Sequence, residues 1–533
     1  MSINRTGDYD AIIVGAGFAG LYMLHRLRGL GLSARVFEAG GGVGGTWYWN
    51  RYPGARCDVE SMEYSYQFSD ELQQDWEWTE RYASQPEILR YLNHVADRFD
   101  LRRDIQLDTR IEALTFDEDA GKWTVRTDDD TEATARFCVM ATGCLSSPNL
   151  PKFEGMESFR GATYHTARWP HEGVHFDGQR VAVIGTGSSG VQSIPVIAKE
   201  AAQLFVFQRT PVYTVPAHNQ PLDPDYVARV KAEYPSFRKE SWFHPFTFHA
   251  DLNNMSALDA DEAERKRVYD RYWETGGLPF MASFNDLFFN MQANDTAGEY
   301  IRGKIHEIVK DPALAEKLSP EQVFGCKRLC VDSGYYDTFN RPNVTLVDVK
   351  DEPIEEIVES GIRTSRRTYD LDGIVFATGF DAMTGAILKI DITGRSGAKL
   401  RDRWAAGPRT YLGLNMAGFP NLFTITGPGS PSVLSNMVPS IEQHVNWIAD
   451  CLAYMGEHGY TQIEAGEDAQ EAWVAHVNNV AEATLFPRCN SWYLGANVPG
   501  KPRVFMPYYG FQPYVEKCDE VVAKGYEGFA LIS

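Results

Sequence analysis

Two glycine-rich loops of the form G-x-G-x-x-G restrict the fold of this 533-residue chain more than any other feature: GAGFAG at residues 15–20 and GTGSSG at residues 185–190. The first loop follows an apolar run at residues 9–14, and it precedes apolar residues at helical spacing and a second apolar run at residues 34–37. A strand, a tight glycine turn, a helix and a second strand form a unit that holds a pyrophosphate at the helix N-terminus. The sequence therefore predicts a nucleotide-binding α/β unit.

The second loop repeats this pattern between apolar runs at residues 181–184 and 204–207, but the two units differ at the end of the last strand. The first unit continues with Glu38, an acid that suits a ribose hydroxyl, whereas the second continues with Arg209 and Thr210. A guanidinium beside a hydroxyl suits a 2'-phosphate, which an acid would repel. The second unit is therefore predicted to bind NADPH, and the chain to hold two dinucleotides at once.

Two further predicted strands, at residues 137–140 and 373–376, each end in the tripeptide Ala-Thr-Gly. Small residues there allow the backbone to pass closely between domains. We expect the chain to leave the first nucleotide domain near Gly143 and to re-enter it after Gly379. The expected fold class is α/β, with two Rossmann-like dinucleotide-binding domains and a helical insertion. The predicted divisions are 1–143 (first domain), 144–214 (second domain), 215–322 (helical insertion), 323–379 (second domain, continued) and 380–533 (first domain, continued, with a mobile loop near 491–503).

The predicted helical insertion contains one stretch, residues 279–291, that is more apolar than an exposed helix requires. Two interpretations remain open for it. It is either the wall of a substrate path or pocket, or ordinary core packing.

The composition restricts the binding partners. A formal charge of −21 leaves no basic surface to neutralise nucleic-acid phosphates and is repelled by an anionic membrane. No apolar run of about 18 residues and no secretory leader are recognisable, so we expect a cytoplasmic protein without a membrane span. We expect a monomer or weak oligomer.

The cysteines and histidines do not suggest a metal site. The eight cysteines are scattered and form no C-x-x-C pair, so they are predicted to be reduced thiols. His171 and His175 have H-x-x-x-H spacing, but Pro170 and Gly173 disfavour the helix that would align them. We interpret them as loop histidines and predict no metal.

The twelve residues FRGATYHTARWP, at 159–170 between the two glycine loops, indicate which class of two-nucleotide oxidoreductase this chain resembles. They match F-x-G-x-x-x-H-x-x-x-W-P, the fingerprint of the Baeyer-Villiger monooxygenases, which insert an oxygen atom beside a ketone. The segment GGTWYWNRYPGARCD at residues 44–58 resembles a second signature of the family. The resemblance runs almost the whole length and is nearest to the phenylacetone, steroid and cyclic-ketone monooxygenases.

This resemblance implies a reaction and its catalytic residues. FAD and NADPH would react with O2 to form a flavin peroxide that converts ketones to esters or lactones, with sulfoxidation as a side reaction. Arg328 would be the catalytic cation, because a guanidinium keeps its charge while anionic oxygen develops. Asp58 would orient Arg328. The fingerprint residue His165 would couple domain movement rather than act as a general base.

The glycine loops and the resemblance together imply three sets of binding residues. The FAD set is Gly15, Gly17, Phe18, Gly20, Glu38, Gly45, Thr46, Trp47, Tyr52, Asp58, Tyr64 and Met437. The NADP set is Arg56, Gly185, Thr186, Gly187, Ser188, Ser189, Gly190, Arg209, Thr210, Lys327, Arg328 and Trp492. The ketone pocket would be lined by Val59, Leu145, Leu434 and Met437.

Two other functions use the same glycine loops. A flavin N- or S-monooxygenase would share both nucleotide units, but its fingerprint ends differently from Trp169-Pro170 and its chemistry has no need of Arg328. A non-catalytic, nucleotide-sensing protein would keep the loops without Arg328. Product formation from a ketone separates the three.

Overall fold

The computed structural model describes residues 4–503 and 507–533. The strands of this part are β1 (Asn4–Val14), β2 (Ala34–Phe37), β3 (Ile105–Gln106), β4 (Ile111–Asp117), β5 (Lys122–Thr127), β6 (Thr131–Met140), β7 (Ala162–His165), β8 (Arg180–Ile184), β9 (Gln203–Gln208), β10 (Thr214–Pro216), β11 (Cys330–Asp332), β12 (Val344–Asp348), β13 (Ile354–Val358), β14 (Gly361–Thr364), β15 (Thr368–Asp370), β16 (Gly373–Phe376), β17 (Asp391–Thr393), β18 (Leu422–Thr424), β19 (Gln462–Ala465) and β20 (Phe529–Ile532). The helices are α1 (Phe18–Gly29), α2 (Thr46–Trp49), α3 (Asp70–Asp75), α4 (Gln85–Arg98), α5 (Ser188–Glu200), α6 (Pro224–Ala232), α7 (Tyr234–Phe243), α8 (Glu262–Thr275), α9 (Met291–Ile308), α10 (Pro312–Leu318), α11 (Tyr335–Thr338), α12 (Leu400–Arg403), α13 (Met437–His458), α14 (Glu467–Glu482) and α15 (Phe511–Ala523).

The first glycine loop lies in a large mixed sheet with the strand order β17-β4-β5-β6-β1-β2-β3, and β18 also pairs with β6. Strands β1, β2 and β6 are parallel, and helix α1 connects the first two, as the apolar pattern predicts. Strands β17 and β18 come from the end of the chain, more than 250 residues after β6. The first sheet is therefore completed by strands from the C-terminal part of the chain.

The second glycine loop lies in a separate parallel sheet with the order β12-β9-β8-β16-β7. Helix α5 connects β8 to β9, just as α1 connects β1 to β2. The strands come from two stretches, residues 162–208 and 344–376, on either side of the helices α6 to α10. The prediction of an α/β fold with two Rossmann-like sheets and a helical insertion is confirmed. The domain limits at 143, 214, 322 and 379 remain a prediction, and the limit at 214 falls at the first residue of strand β10.

The apolar stretch at residues 279–291 belongs mostly to the core. Phe280, Phe284, Leu287 and Phe288 are buried, whereas Phe289 is 49% exposed. Ring stacking ties this stretch to its surroundings, since Phe280 and Phe288 both contact Phe324. Most of the stretch therefore packs the insertion against the chain that leads to β11.

The prediction that all cysteines are reduced is wrong. Cys326 and Cys489 form a disulfide across 163 residues of sequence, while the other six cysteines are free and buried. Neither partner belongs to a C-x-x-C motif, so the motif rules that detect zinc and redox sites do not reveal the pairing. In residues 4–503 and 507–533, no helix is long and apolar enough to cross a membrane.

Candidate active site

Each glycine loop packs against one of the two Ala-Thr-Gly tripeptides. A Cβ atom at Gly15 would lie 2.6 Å from the carbonyl oxygen of Ala141, and one at Gly185 would lie 2.4 Å from that of Ala377. Both glycines have φ above +100°, a conformation that other residues rarely adopt. The two nucleotide units therefore have the same local structure, in which the first glycine of the loop packs against the residue that follows a neighbouring strand, β6 or β16.

The third glycine of each loop allows the following helix to approach the loop. A Cβ at Gly20 would lie 1.8 Å from the Gly15 carbonyl oxygen, and one at Gly190 would lie 2.3 Å from that of Gly185. Helices α1 and α5 begin after Gly17 and Gly187, and neither N-cap makes a side-chain hydrogen bond to its helix. The first-turn N–H groups are thus uncapped by side chains, and this arrangement fits the pyrophosphate of a dinucleotide.

Glu38 lies directly after β2 and holds the first glycine loop. Its two carboxylate oxygens accept hydrogen bonds from the backbone N–H groups of Ala16 (2.8 Å) and Gly40 (2.7 Å). Burial raises the pKa of Glu38, and those two hydrogen bonds oppose the shift. The acid is therefore a fixed part of the loop wall, at the strand end where a ribose binds in such folds.

The segment at residues 44–58 closes on the first loop. The Cα atoms of Gly17 and Gly45 face each other so closely that a Cβ at Gly45 would lie 2.9 Å from Gly17. Trp47 donates from Nε1 to the Tyr64 hydroxyl (3.2 Å), and the Tyr64 ring packs edge-on against Phe18. Aromatic side chains and the closely apposed backbones of Gly17 and Gly45 together form a cradle that suits a flat cofactor.

The same segment also contacts the second nucleotide unit. The Tyr52 hydroxyl donates to Oε1 of Gln192 in α5 (2.8 Å), and Gln192 donates from Nε2 to the Arg56 carbonyl (3.0 Å). The Arg56 guanidinium is paired with Glu80 at 3.1 Å. Ser189 also interacts with Tyr52. Residues 52–56 therefore join the two glycine-loop units, and Thr46 lies exposed at the start of α2.

Positive charge gathers near the second glycine loop. Arg209, after β9, is exposed, and Lys327 is half-buried. Burial lowers the pKa of Lys327, and repulsion from Arg209 and then Lys350 lowers it further. The Thr186 hydroxyl donates to the Thr210 carbonyl (3.2 Å), and Ser188 lies 3.4 Å from the Cys330 sulfur. A doubly charged phosphate would neutralise the two cations.

Arg328 and Asp58 form a two-point ion pair between the two units. The guanidinium donates from Nε (2.6 Å) and Nη2 (2.8 Å) to the two carboxylate oxygens, and from Nη1 to the Val433 carbonyl (2.9 Å). The two side chains stay 24% and 22% exposed. Burial opposes the charge of Arg328, but attraction and hydrogen bonds from Asp58 outweigh it and raise the pKa of Arg328 above its ordinary value. The cation is therefore permanent and oriented.

A narrow apolar cavity opens beside Arg328. Its free volume is about 30 Å³, room for only a few water molecules, so a bound ketone would require lining side chains to move. The lining residues are Val59, Phe246, Phe248, Leu278, Met281, Gly325, Arg328, Leu329, Val433, Leu434, Ser435, Asn436, Phe486 and Tyr493. The predicted pocket residues Val59 and Leu434 are among them, whereas Leu145 and Met437 are not.

The C-terminal segment around Trp492 covers this site. The Trp492 ring packs against Tyr493 with centroids 4.4 Å apart, and Tyr493 interacts with the Arg328 guanidinium. Burial raises the pKa of Tyr493 to about 12. Farther along, Asn497 donates to the Phe380 carbonyl (2.7 Å) and Lys501 pairs with Asp381. Residues 491–503 are thus attached to the chain just after the second Ala-Thr-Gly tripeptide.

The fingerprint histidine lies beside the second Ala-Thr-Gly tripeptide. His165 Nδ1 accepts the Ala167 N–H (3.0 Å), so Nε2 carries the proton and faces the Asn149 carbonyl (3.4 Å) and the Thr378 hydroxyl (3.3 Å). Burial lowers the pKa of His165. A neutral histidine that bridges residues 149 and 378 fits a positioning role between the two units.

Comparison with known proteins identifies the family. Residues 12–243 match the family described as "Pyridine nucleotide-disulphide oxidoreductase". The chain is 44% identical, over 97% of its length and 95% of the relative, to a Baeyer-Villiger monooxygenase of Pseudooceanicola batsensis. The chain belongs to the Baeyer-Villiger monooxygenases. The prediction from the fingerprint is therefore confirmed.

Solved Baeyer-Villiger monooxygenases share the fold. An oxidised steroid monooxygenase bound to NADP is 54% identical and superposes with a TM-score of 0.95, covering 98% of this chain and 99% of the other. A structure described as the OTEMO complex with FAD and NADP is 38% identical, with a TM-score of 0.95 and the same coverage. The predicted cofactors and the flavoprotein monooxygenase class are confirmed for this family member. A phenazine N-monooxygenase of Lysobacter antibioticus is also 42% identical over 99% of the chain and 98% of its own length.

Several cavity side chains of this Baeyer-Villiger monooxygenase were not predicted from the sequence. The insertion supplies Phe246, Phe248 and Leu278 to the cavity wall, and the C-terminal segment supplies Tyr493. Met281 also lines the cavity, and it belongs to the stretch at residues 279–291 for which a pocket wall was one of the two interpretations. The aromatic run at residues 243–249 and the Trp492-Tyr493 pair were the available signals. Neither indicates which ring faces Arg328.

The two histidines considered for a metal lie in irregular chain, as expected. His171 packs its ring against Tyr48, and burial lowers its pKa. Within residues 4–503 and 507–533, His175 approaches Asp177 and Glu200, with ligand atoms within 4.8 Å of one another. The first two are exposed and Glu200 already accepts the Phe176 N–H, so this group carries no metal assignment.

Proposed function

We propose that this enzyme oxidises apolar ketones to esters or lactones with NADPH and O2. The balanced reaction is ketone + O2 + NADPH + H⁺ → ester + NADP⁺ + H2O. The observation that carries the proposal is an arginine, fixed at two points by Asp58, that lines an apolar cavity. The apolar walls favour a ketone without charged groups.

The cofactor sites follow from the two loops. FAD would occupy the cradle of Gly17, Gly45 and Trp47, and NADPH would place its pyrophosphate at α5 and its 2'-phosphate between Arg209 and Lys327. Bound FAD supplies hydride acceptance from NADPH and the activation of O2. The cations Arg209 and Lys327 support the choice of NADPH over NADH, because only NADPH carries a 2'-phosphate. The uncapped N-terminus of α5 suits the pyrophosphate that both coenzymes share.

The residues of the chain stabilise charge and exclude water. Negative charge develops on the carbonyl oxygen when a nucleophile attacks a ketone, and the Arg328 guanidinium supplies fixed donors to it. Such preorganised donors contribute about 2.7 to 4 kcal/mol to transition-state stabilisation. Asp58 and the Val433 carbonyl fix the direction of the guanidinium, and Trp492 and Tyr493 would keep the site dry.

Measurement of the product tests the proposed function. The purified enzyme is incubated with NADPH, air and either phenylacetone or a cycloalkanone, and ester or lactone is measured beside NADPH consumption. We expect close to one ester for each NADPH. NADPH oxidation that yields only hydrogen peroxide with every ketone would contradict the proposal.

A second function has one observation in its favour, the 42% identity to a phenazine N-monooxygenase. The same assay with phenazine separates the two functions, because an N-oxide without ester formation would favour the second.

A cytoplasmic location, a monomeric or weakly oligomeric state and the division into domains remain predictions. Size-exclusion chromatography with light scattering measures the oligomeric state directly.

A further inference from the structure

The disulfide joins the two segments that meet at the guanidinium of Arg328. Cys326 lies two residues before Arg328, and Cys489 lies three residues before Trp492, with 6.1 Å between the two cysteine Cα atoms. Tyr493, four residues after the bridge, lines the same narrow cavity as Arg328 and interacts with its charge. The covalent link therefore connects the cation-bearing segment to the segment that covers it.

Other contacts anchor the far end of the covering segment. Lys501 pairs with Asp381 and donates to the Ala382 carbonyl (2.6 Å), and Asn497 donates to the Phe380 carbonyl. Between the bridge and these contacts, the backbone forms tight turns, in which Leu494 and Ala496 both donate to the Ser491 carbonyl. The disulfide is thus the covalent anchor at the near end.

Noncovalent contacts keep the two sulfurs near each other even without the bond. Phe486 stacks on Phe288 with centroids 5.1 Å apart, and the Leu485 N–H donates to the Phe288 carbonyl (2.7 Å). Phe288 in turn contacts Phe324, two residues before Cys326. A reduced pair would remain at high local concentration, so the bond can re-form readily after reduction.

One sulfur of the pair is open to exchange. Cys489 is half-buried, whereas Cys326 is 1% exposed, and the six free cysteines of the described chain are all buried. A thiolate would therefore attack the Cys489 sulfur. A dithiol reductant R(SH)2 then gives two protein thiols and a cyclic disulfide RS2, so two electrons and two protons pass to the protein. Hydrogen peroxide reverses the change and yields two water molecules.

We propose that Cys326 and Cys489 are positioning residues whose reversible disulfide holds residues 489–496 over Arg328, so that the redox state of the pair sets how well the enzyme retains its nicotinamide coenzyme. The coenzyme part rests on the proposed function. The tether itself rests on the positions of the two cysteines.

The tether is tested by hydrogen–deuterium exchange on the intact holoenzyme, with and without a dithiol. We expect reduction to speed amide exchange about tenfold in peptides that cover residues 489–496. This factor is smaller than the roughly 10² to 10⁴ by which a covalent link can raise an apparent affinity. The exchange rate of peptides from α13 should not change. Peroxide treatment of the reduced enzyme should restore slow exchange. Exchange that is the same in both states, or free thiols at both positions in the peroxide-treated protein, would overturn the tether.

The functional part is tested with the variant Cys326→Ser/Cys489→Ser and with Cys451→Ala as a control that removes a distant buried thiol. We expect reduced wild type and the double variant to show a several-fold higher KM for NADPH, while flavin reduction at saturating NADPH is unchanged. Dithiol should have no effect on the double variant. If the double variant fails to fold, reduction and reoxidation of the wild type give the same comparison. An equal KM in both redox states overturns the coenzyme role. Failure of NADPH to bleach the flavin in either state instead refutes the proposed function and leaves the exchange result standing.

Discussion

The guanidinium of Arg328 bonds both carboxylate oxygens of Asp58, at 2.6 and 2.8 Å, across 270 residues of sequence. Asp58 belongs to the segment that closes on the first glycine loop, and Arg328 belongs to the chain that follows the helical insertion. The pair therefore exists only when the two units are assembled. Because breaking a partly buried pair leaves a charge without its partner, each residue depends on the other for its orientation.

Replacement of Arg328 should separate coenzyme oxidation from product formation. In Arg328→Ala, NADPH should still bleach the flavin, but the rate of ester formation should fall by about 10² to 10³, as for loss of one oxyanion donor. Arg328→Lys should recover little, because a lysine lacks the fork that bonds both oxygens of Asp58. Stopped-flow absorbance and product analysis measure the two steps. Ester formation retained in Arg328→Ala would remove this residue from its role.

Replacement of Arg209 should change the preference between the two nicotinamide coenzymes. Arg209→Ala should raise the KM for NADPH about tenfold or more, since a hydrogen bond to a charged group contributes roughly 1.5 to 3 kcal/mol. The KM for NADH should stay within about twofold, because NADH has no 2'-phosphate to lose contact with. Steady-state kinetics with both coenzymes give the ratio, and an unchanged ratio would refute the phosphate contact.

Two glycines of helix α1 form a matched pair for testing the first loop. A Cβ at Gly20 would lie 1.8 Å from the Gly15 carbonyl oxygen. One at Gly29 would meet no other part of the described chain within 4 Å, apart from its neighbours and the backbone of its own helix. Gly20→Ala should therefore lower stability by about 1 to 3 kcal/mol and reduce the flavin content. Gly29→Ala should be neutral or stabilise by up to about 1 kcal/mol. Flavin absorbance and thermal unfolding measure both, and full flavin content in Gly20→Ala would argue against the close packing of this loop.

The buried carboxyl of Glu63 should make stability depend on pH. Burial, then repulsion from Glu60, raises the pKa of Glu63 from 4.5 to about 8 in the folded protein. Between these values the folded state holds a proton that the unfolded chain has released, so the free energy of unfolding falls as pH rises through this window. Glu63→Gln should flatten that decline, whereas Glu157→Gln, at an exposed position, should leave it as in the wild type. Urea unfolding at pH 5, 7 and 9 gives the slopes, and equal slopes in all three proteins would exclude Glu63 as the cause.

The spacing of apolar residues and glycines explains most of the strands, loops and helices that the sequence predicts correctly. The run at 34–37 is an observed strand with the same limits, and both glycine loops lie between the predicted strand and helix. These elements depend on near neighbours in sequence. The contacts of Arg328 do not depend on near neighbours, because Asp58, Val433 and Tyr493 lie 270, 105 and 165 residues away in sequence. The family resemblance supplied Asp58, but nothing in the sequence indicated that Cys326 pairs with Cys489 across 163 residues.

The helical insertion should control which ketones fit beside Arg328. Met281 lines the narrow cavity, whereas Met255 of the same insertion is 39% exposed and lies outside it. Met281→Ala should widen the cavity and raise kcat/KM for bulky ketones relative to small ones by about tenfold, since one methylene in an apolar pocket changes discrimination by roughly 1 to 3 kcal/mol. Met255→Ala removes the same atoms from the surface and should leave the ratio unchanged. Competition between acetone and a bulky aryl ketone measures the ratio in one vessel. If both variants discriminate as the wild type does, the wall formed by the insertion does not select the substrate, and selection would fall to Leu434 and its neighbours before α13.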